Sequence, residues 1–168
     1  RRDLFPRITD RILEIGCSMG RLVKKIQRIA PHTCGIDINA KAIGAGVTSN
    51  LQVMDARKLE FPDASFDKIY SAHTIEHIPE LTRALKEMAR ILKKGGRAIL
   101  IYPAEPIRGL LCLFSSLLLL QNPLKIHVHK LSPRRLINEF IPGTGFRQVK
   151  SEFSIFPGPQ YLTILEKE

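Results

Sequence analysis

A glycine-bearing turn, Glu14-Ile-Gly-Cys-Ser-Met-Gly20, follows directly on the apolar run Arg11–Ile15, and an aspartate, Asp37, closes a second such run 21 residues after Gly16. Glycines at that place let backbone N–H groups approach an anionic or polar ligand at the positive end of the helix that follows. A carboxylate at the tip of the next strand takes both hydroxyls of a ribose. Together they call for a nucleoside-bearing ligand. The glycine pattern narrows its kind. The dinucleotide fingerprint G-x-G-x-x-G would need glycines at 16, 18 and 21, and the chain has Gly16, Ser18 and Arg21, which disfavours nicotinamide and flavin cofactors.

Such residues work only if strands and helices hold them. Arg11–Ile15 reads as a buried strand, and Gly20–Ala30 as a helix with Leu22, Val23, Ile26, Ile29 and Ala30 at helical spacing, stopped by Pro31. Thr33–Ile38, Leu51–Met54 and Phe66–Ser71 read as three further strands, with a short helix at Ala40–Ala45 and a turn at Phe61–Ser65. A helix opening near Pro79 runs to about Leu92 on the stripe Leu81, Leu85, Met88, Ala89 and Leu92; Gly95-Gly96 ends it, and Arg97–Tyr102 is a fifth strand. This alternation predicts an α/β fold with a mostly parallel sheet covered on both faces. The remainder breaks the rhythm: an apolar helix at Leu110–Leu120, a helix at Ser132–Phe140, then strands Phe146–Phe153 and Gln160–Glu166, paired antiparallel across Phe156–Pro159.

Gly16 and Gly20 fit the looser spacing E-x-G-x-G-x-G, and here the chain resembles the class I S-adenosylmethionine-dependent methyltransferases. The resemblance continues in Gly35-Ile-Asp-Ile38, Met54-Asp-Ala56, Leu59–Asp67, Ile75-Glu-His77 and Arg90–Gly96, all similar to the small-molecule type that includes ubiquinone/menaquinone-biosynthesis methyltransferases. It covers roughly residues 11–103, with a weaker echo from His129 to Phe146. Each motif alone is weak; their shared order is specific. The resemblance implies a Rossmann-like three-layer α/β/α sandwich whose seven-stranded, mostly parallel sheet has its last strands antiparallel. It implies that Gly16, Cys17, Ser18 and Gly20 wrap the methionine part of S-adenosylmethionine and that Asp37 holds the ribose. Asp55 would accept from the adenine amino group, the Ala56 N–H would read a ring nitrogen, and Ile38 would pack on the base. Glu14 would orient the turn and the methionine ammonium, and the backbone near Ser71–His73 would flank the sulfonium. The product would be S-adenosyl-L-homocysteine. Ser18 stands where the family has its middle glycine, which suits the position if its φ stays below zero.

Other chemistry-bearing residues read more plainly. His73-Thr-Ile-Glu-His77 spells H-x-x-E-H, but it follows a strand instead of lying on a helix, so no metal is expected; His73 and His77 are candidate catalytic residues, His73 as a base toward substrate. His127 and His129 alternate on one side of an extended segment, a pocket or surface pair without further ligands. Cys17 reads as a small filler, and Cys34 and Cys112 as core. The cations Arg83, Lys86, Arg90, Lys93 and Lys94 read as a solvated helix face.

The 168 residues carry 26 Lys+Arg against 16 Asp+Glu, and +8 of the net +10 lies after residue 80. That half touches something anionic or partly apolar. The absence of Trp argues against stacking on nucleic acid, and the run Gly109–Leu120 is too short to span a bilayer, leaving peripheral membrane contact open. Three cysteines, an odd number, fit a reducing cytoplasm. The expectation is one domain over residues 1–168, with a short or missing N-terminal lid and a substrate-side insertion at 104–142, transferring a methyl group to a small-molecule or lipid-like acceptor. A non-catalytic S-adenosylmethionine-binding domain and a nucleic-acid methyltransferase are the alternatives, with a nicotinamide oxidoreductase behind them.

Overall fold

A computed structural model describes residues 5–104, 128–155 and 158–168 of the chain. Its strands are β1 (Ile12–Ile15), β2 (Thr33–Asp37), β3 (Leu51–Val53), β4 (Phe66–Ala72), β5 (Leu92–Pro103), β6 (Phe146–Ser154) and β7 (Gln160–Lys167). Helices α1 (Arg21–Ile26), α2 (Ala40–Gly44), α3 (Leu81–Ile91) and α4 (Pro133–Arg135) lie between them, α4 running on into a π-helical turn at Leu136–Phe140. The strands form one sheet in the order β3-β2-β1-β4-β5-β7-β6. The first five pair in parallel, and β7 joins β5 and β6 antiparallel. This is the expected Rossmann-like architecture.

Alternation along each strand sends neighbours to opposite faces. Leu13, Ile15, Ile69, Leu100 and Leu165 join the main core with Leu85, Met88 and Ile91 of α3 and with Leu136, while Ile12 turns the other way to meet Ile26 of α1 and Ala30. Register matters most for the site. Ile15 pairs with Ile36 on one side and Ser71 on the other, so β1, β2 and β4 end side by side. Their next residues emerge at one edge.

Several boundaries differ from the sequence reading, each for a local reason. Helix α1 stops at Ile26; the chain to Ala30 closes in tight turns, leaving Ile29 and Leu22 exposed and only Val23, Ile26 and Ala30 of the stripe buried. Helix α3 starts at Leu81 because Glu80 takes a left-handed conformation, φ +55°, which separates Pro79 from the helix. The pair Gly95-Gly96 lies inside β5 instead of ending a helix. Leu92 is already extended and pairs with Phe66; Gly95, at φ +74°, absorbs the extra residues before Arg97 meets Lys68. Ser132 caps α4 by accepting from the Arg135 N–H, with Pro133 next. The expected helix at 110–120, Cys112, His127 and part of the expected turn at 156–159 lie outside the described residues.

Candidate functional site

The turn after β1 is held by two backbone bonds from Gly16 and Cys17 to the Ile36 carbonyl, at 2.8 and 3.0 Å. A Cβ on Gly16 would lie 2.0 Å from Thr74 Oγ1, and one on Gly20 2.6 Å from the Leu51 side chain. Both glycines, at φ +79° and +75°, are therefore required by contact as well as conformation. Ser18 also has positive φ, +49°, against the expectation of a negative one. The reason lies in Asp37. Its Oδ2 accepts from the Ser18 N–H at 2.8 Å and its Oδ1 from Asn39 N–H at 2.9 Å, fixing the turn to the end of β2.

Beyond these strand ends lies a cleft of about 420 Å³, lined by Gly16, Ser18, Asp37, Ile38, Asp55, Ala56, His73 and His77 from the sequence reading. That volume lies within the range of small-ligand sites. Ile38, 69% exposed, offers an apolar surface on its wall. Sequence reasoning missed Arg57, Thr74, Met54, Ile15, Ile36, Ile78 and Pro79, which complete the lining. Thr74 and Arg57 carried a signal in being adjacent to residues already singled out. Arg57 has taken the Asp55 carboxylate. Its backbone N–H and Nε donate to Oδ1 at 2.8 and 3.1 Å, its Nε and terminal nitrogen to Oδ2 at 3.0 and 2.7 Å, and the same guanidinium reaches Glu80 at 3.0 Å. Hydrogen bonds from Arg57 hold the Asp55 carboxyl below the usual carboxylate range.

Glu14, Cys17, Gly20 and Ser71 stand behind this lining. Glu14 is buried, its Oε2 has no hydrogen-bond partner, and desolvation, offset in part by the Val23 N–H and reinforced by Asp37, raises its pKa to about 7. Ser71 Oγ is likewise buried without a partner. The Cys17 side chain fills the space beside Gly35, and burial followed by the Glu14 and Asp37 charges pushes its thiol up to about 12, which removes a thiolate from the chemistry. Burial likewise pushes the half-buried Cys34 up to about 11.

At the far rim His73 adopts φ +52°, a strained conformation of the kind found at functional sites. Its N–H donates to the Ile101 carbonyl at 2.8 Å, and its Nε2 shares a hydrogen bond with Gln160 Oε1 at 3.2 Å. Buried Glu76 lies between the two histidines, its Oε1 3.9 Å from His73 Nδ1 and 3.9 Å from His77 Nε2. His129 clamps this segment from outside, its Nε2 bonding the Ile78 carbonyl at 3.0 Å and its N–H donating to the Glu76 carbonyl.

A family model described as a methyltransferase domain matches residues 13–100, more than half of the chain. The chain belongs to the class I S-adenosylmethionine-dependent methyltransferases. Among relatives of this chain, phosphatidylethanolamine N-methyltransferase of Cereibacter sphaeroides is 32% identical over 102 residues, 54% of this chain and 49% of that protein. The ubiquinone/menaquinone biosynthesis C-methyltransferase UbiE of Pseudomonas aeruginosa is 31% identical over 118 residues, 62% of this chain and 46% of that one. The match thus spans less than half the length of these relatives. In fold, an S-adenosylmethionine-dependent methyltransferase from Mesorhizobium loti superposes with a TM-score of 0.75 at 18% identity, covering 99% of this chain and 95% of that one.

The residues of the cleft fit the cofactor that gives the family its name, S-adenosylmethionine. Glu14 Oε2 is a buried acceptor still to be partnered, the space beside Gly16 and Thr74 admits no side chain, and a cleft with Asp37 and Asp55 suits a cation that bears a ribose and an adenine. Among the described residues no helix is long and apolar enough to cross a membrane.

Proposed function

We propose that this chain is a methyltransferase domain that binds S-adenosylmethionine in the cleft beyond β1, β2 and β4 and methylates a small-molecule or lipid-like acceptor. The observation that carries the reading is the gathering of Gly16, Ser18, Asp37, Ile38 and Asp55 around one cleft, with the Glu14 carboxylate buried beneath it. The second lone pairs of Asp37 take the ribose hydroxyls, Ile38 packs on the base, and Ala56 N–H reads a ring nitrogen. Glu14 faces the methionine ammonium through the Gly16–Gly20 turn. The cofactor supplies the transferable methyl group on a sulfonium.

The protein aligns the acceptor, excludes water and receives a proton. His73, at the rim, is the candidate base, with His77 beside it. The acceptor class follows the relatives, whose names refer to a phospholipid and to quinone biosynthesis. Titration calorimetry with S-adenosylmethionine tests the cofactor part. Binding by the wild type and a loss of at least 100-fold in Asp37→Ala, with unchanged circular dichroism, is the expected result; no binding by the wild type would sink the reading.

A further inference from the structure

The cofactor cleft lies beyond the carboxyl ends of the parallel strands. A second cavity, of about 270 Å³, opens at their amino-terminal ends, on the opposite edge of the sheet. Three stretches of chain build it: the segment before β1, the start of β4 and the turn Lys93–Gly96 with Arg97 in β5. Register makes the space. Phe66 pairs with Leu92 and Lys68 with Arg97, so Lys93–Gly96 stand opposite Asp67 alone and loop out of the ladder. Gly95 turns the loop at φ +74°, and a Cβ on Gly96 would lie 2.8 Å from the Lys93 carbonyl oxygen and 3.1 Å from that of Asp67.

Five cations line the cavity, Arg7, Lys68, Lys93, Lys94 and Arg97, against two carboxylates. Both carboxylates are committed. Asp67 takes the Lys93 ammonium at 2.7 Å on one oxygen and the Arg11 N–H at 2.9 Å on the other, while Asp10 Oδ2 takes Lys68 and the Arg7 N–H. Beyond the rim, Glu166 holds Arg97 at 3.1 Å and also pairs with Arg147. The acids fix where the cations stand and leave positive charge in excess. Lys68, its side chain 8% exposed, gives two of its three donors to Asp10 and the Phe5 carbonyl and keeps one. Among the described residues, the exposed Lys94 takes part in no ion pair.

We propose that this cavity binds a phosphate group, carried by a soluble phosphate monoester or by a lipid headgroup. Three features select that class. The described lining residues include no apolar or aromatic side chain, so neither an acyl chain nor a stacked base is the part that enters. The volume lies below that of drug-sized ligand sites and suits one small anion. Lysine and arginine side chains converging from three stretches of chain match a group with several acceptor oxygens and more than one negative charge better than a single carboxylate. Three of the five cations lie after residue 80, so the cavity uses part of the excess positive charge of that half.

Inorganic phosphate is titrated by calorimetry, at an ionic strength held constant with sodium chloride, against the wild type and two charge-reversal variants at exposed lysines. Lys94→Glu alters the cavity, whereas Lys86→Glu, on α3 and outside the lining, changes the net charge equally. The expected result is saturable binding with a Kd of about 1 mM or below, weakened about tenfold by Lys94→Glu and less than about twofold by Lys86→Glu, with unchanged circular dichroism in both. Sedimentation with phosphatidylcholine vesicles, with and without phosphatidic acid, identifies the source. Capture by the vesicles that contain phosphatidic acid alone, reversed by free phosphate, supports the site as one for a lipid headgroup. Saturable phosphate binding without capture supports it as one for a soluble ester. No saturable phosphate binding, or equal effects of the two lysine variants, would overturn the site.

Discussion

Glu14 is buried at a cost to its charged form. Burial raises its pKa to about 7, so folding favours its protonated form. That contribution to stability is fully present below the unfolded value of 4.5 and is lost as pH rises through 7. The interval corresponds to about 3 kcal/mol. Glu14→Gln, which cannot ionise, should therefore be more stable than wild type at pH 8 by up to about 3 kcal/mol and equal to it near pH 4.5, measured by urea unfolding. It should also bind S-adenosylmethionine poorly at every pH, while wild-type affinity climbs through pH 7 as the carboxylate ionises to meet the ammonium. A flat wild-type affinity between pH 6 and 8 would remove Glu14 from the site. Arg57 gives an opposite kind of test. Each Asp55 oxygen already accepts two of its hydrogen bonds, so Arg57→Ala should free the carboxylate for the adenine amino group and tighten S-adenosylhomocysteine binding several-fold by calorimetry. Weaker binding would show that Arg57 orients Asp55 instead of competing for it.

The turn between β1 and α1 shows how much of the site was legible in the sequence. Gly16, Gly20 and Asp37 stood out because glycine and carboxylate at fixed offsets have few other uses at a strand–helix junction. The left-handed Ser18 did not, because its conformation depends on an Asp37 oxygen 19 residues away. Ser18→Gly should relieve that strain and stabilise the fold by about 1 kcal/mol in a thermal melt. Gly16→Ala should do the reverse, losing several kcal/mol and cofactor binding through its collision with Thr74. A neutral Gly16→Ala would mean that Thr74 yields. On the basic face of α3 the expected solvation holds for Arg83 and Lys86, which are exposed, and Arg90 departs from it for a similar reason. Arg90 is partly buried and ties down the turn before β4 through the Leu59 and Phe61 carbonyls and Asp63, 27 to 31 residues away, and it also pairs with Glu87 one turn back on the helix. Lys93 is paired with Asp67.

The amino-terminal edge of the sheet is closed by a buried ion pair, Lys68 with Asp10, whose side chains are 8% and 10% exposed. Lys68 also donates to the Phe5 carbonyl at 2.8 Å, and Asp10 accepts from the Arg7 N–H, so the pair ties the segment before β1 to β4. Asp10→Asn leaves the ammonium buried without its counter-charge and should cost about 3 kcal/mol by urea unfolding. Asp10→Leu with Lys68→Met should recover most of that, and failure to recover would show that Lys68 matters through its bond to Phe5. Strand–helix alternation was enough to give the fold class, the Gly16–Gly20 turn with Asp37 was enough to call for a nucleoside-bearing ligand, and the family came from the resemblance that several motifs carry in their shared order. These signals are local, arising from backbone conformation and from the two periods of helix and strand. The pairing of Arg57 with Asp55, the burial of Glu14, the left-handed Ser18 and the His73–Gln160 contact came only with folding. They join residues as many as 87 positions apart, and the pairing of strands distant in the chain decides which of those meet.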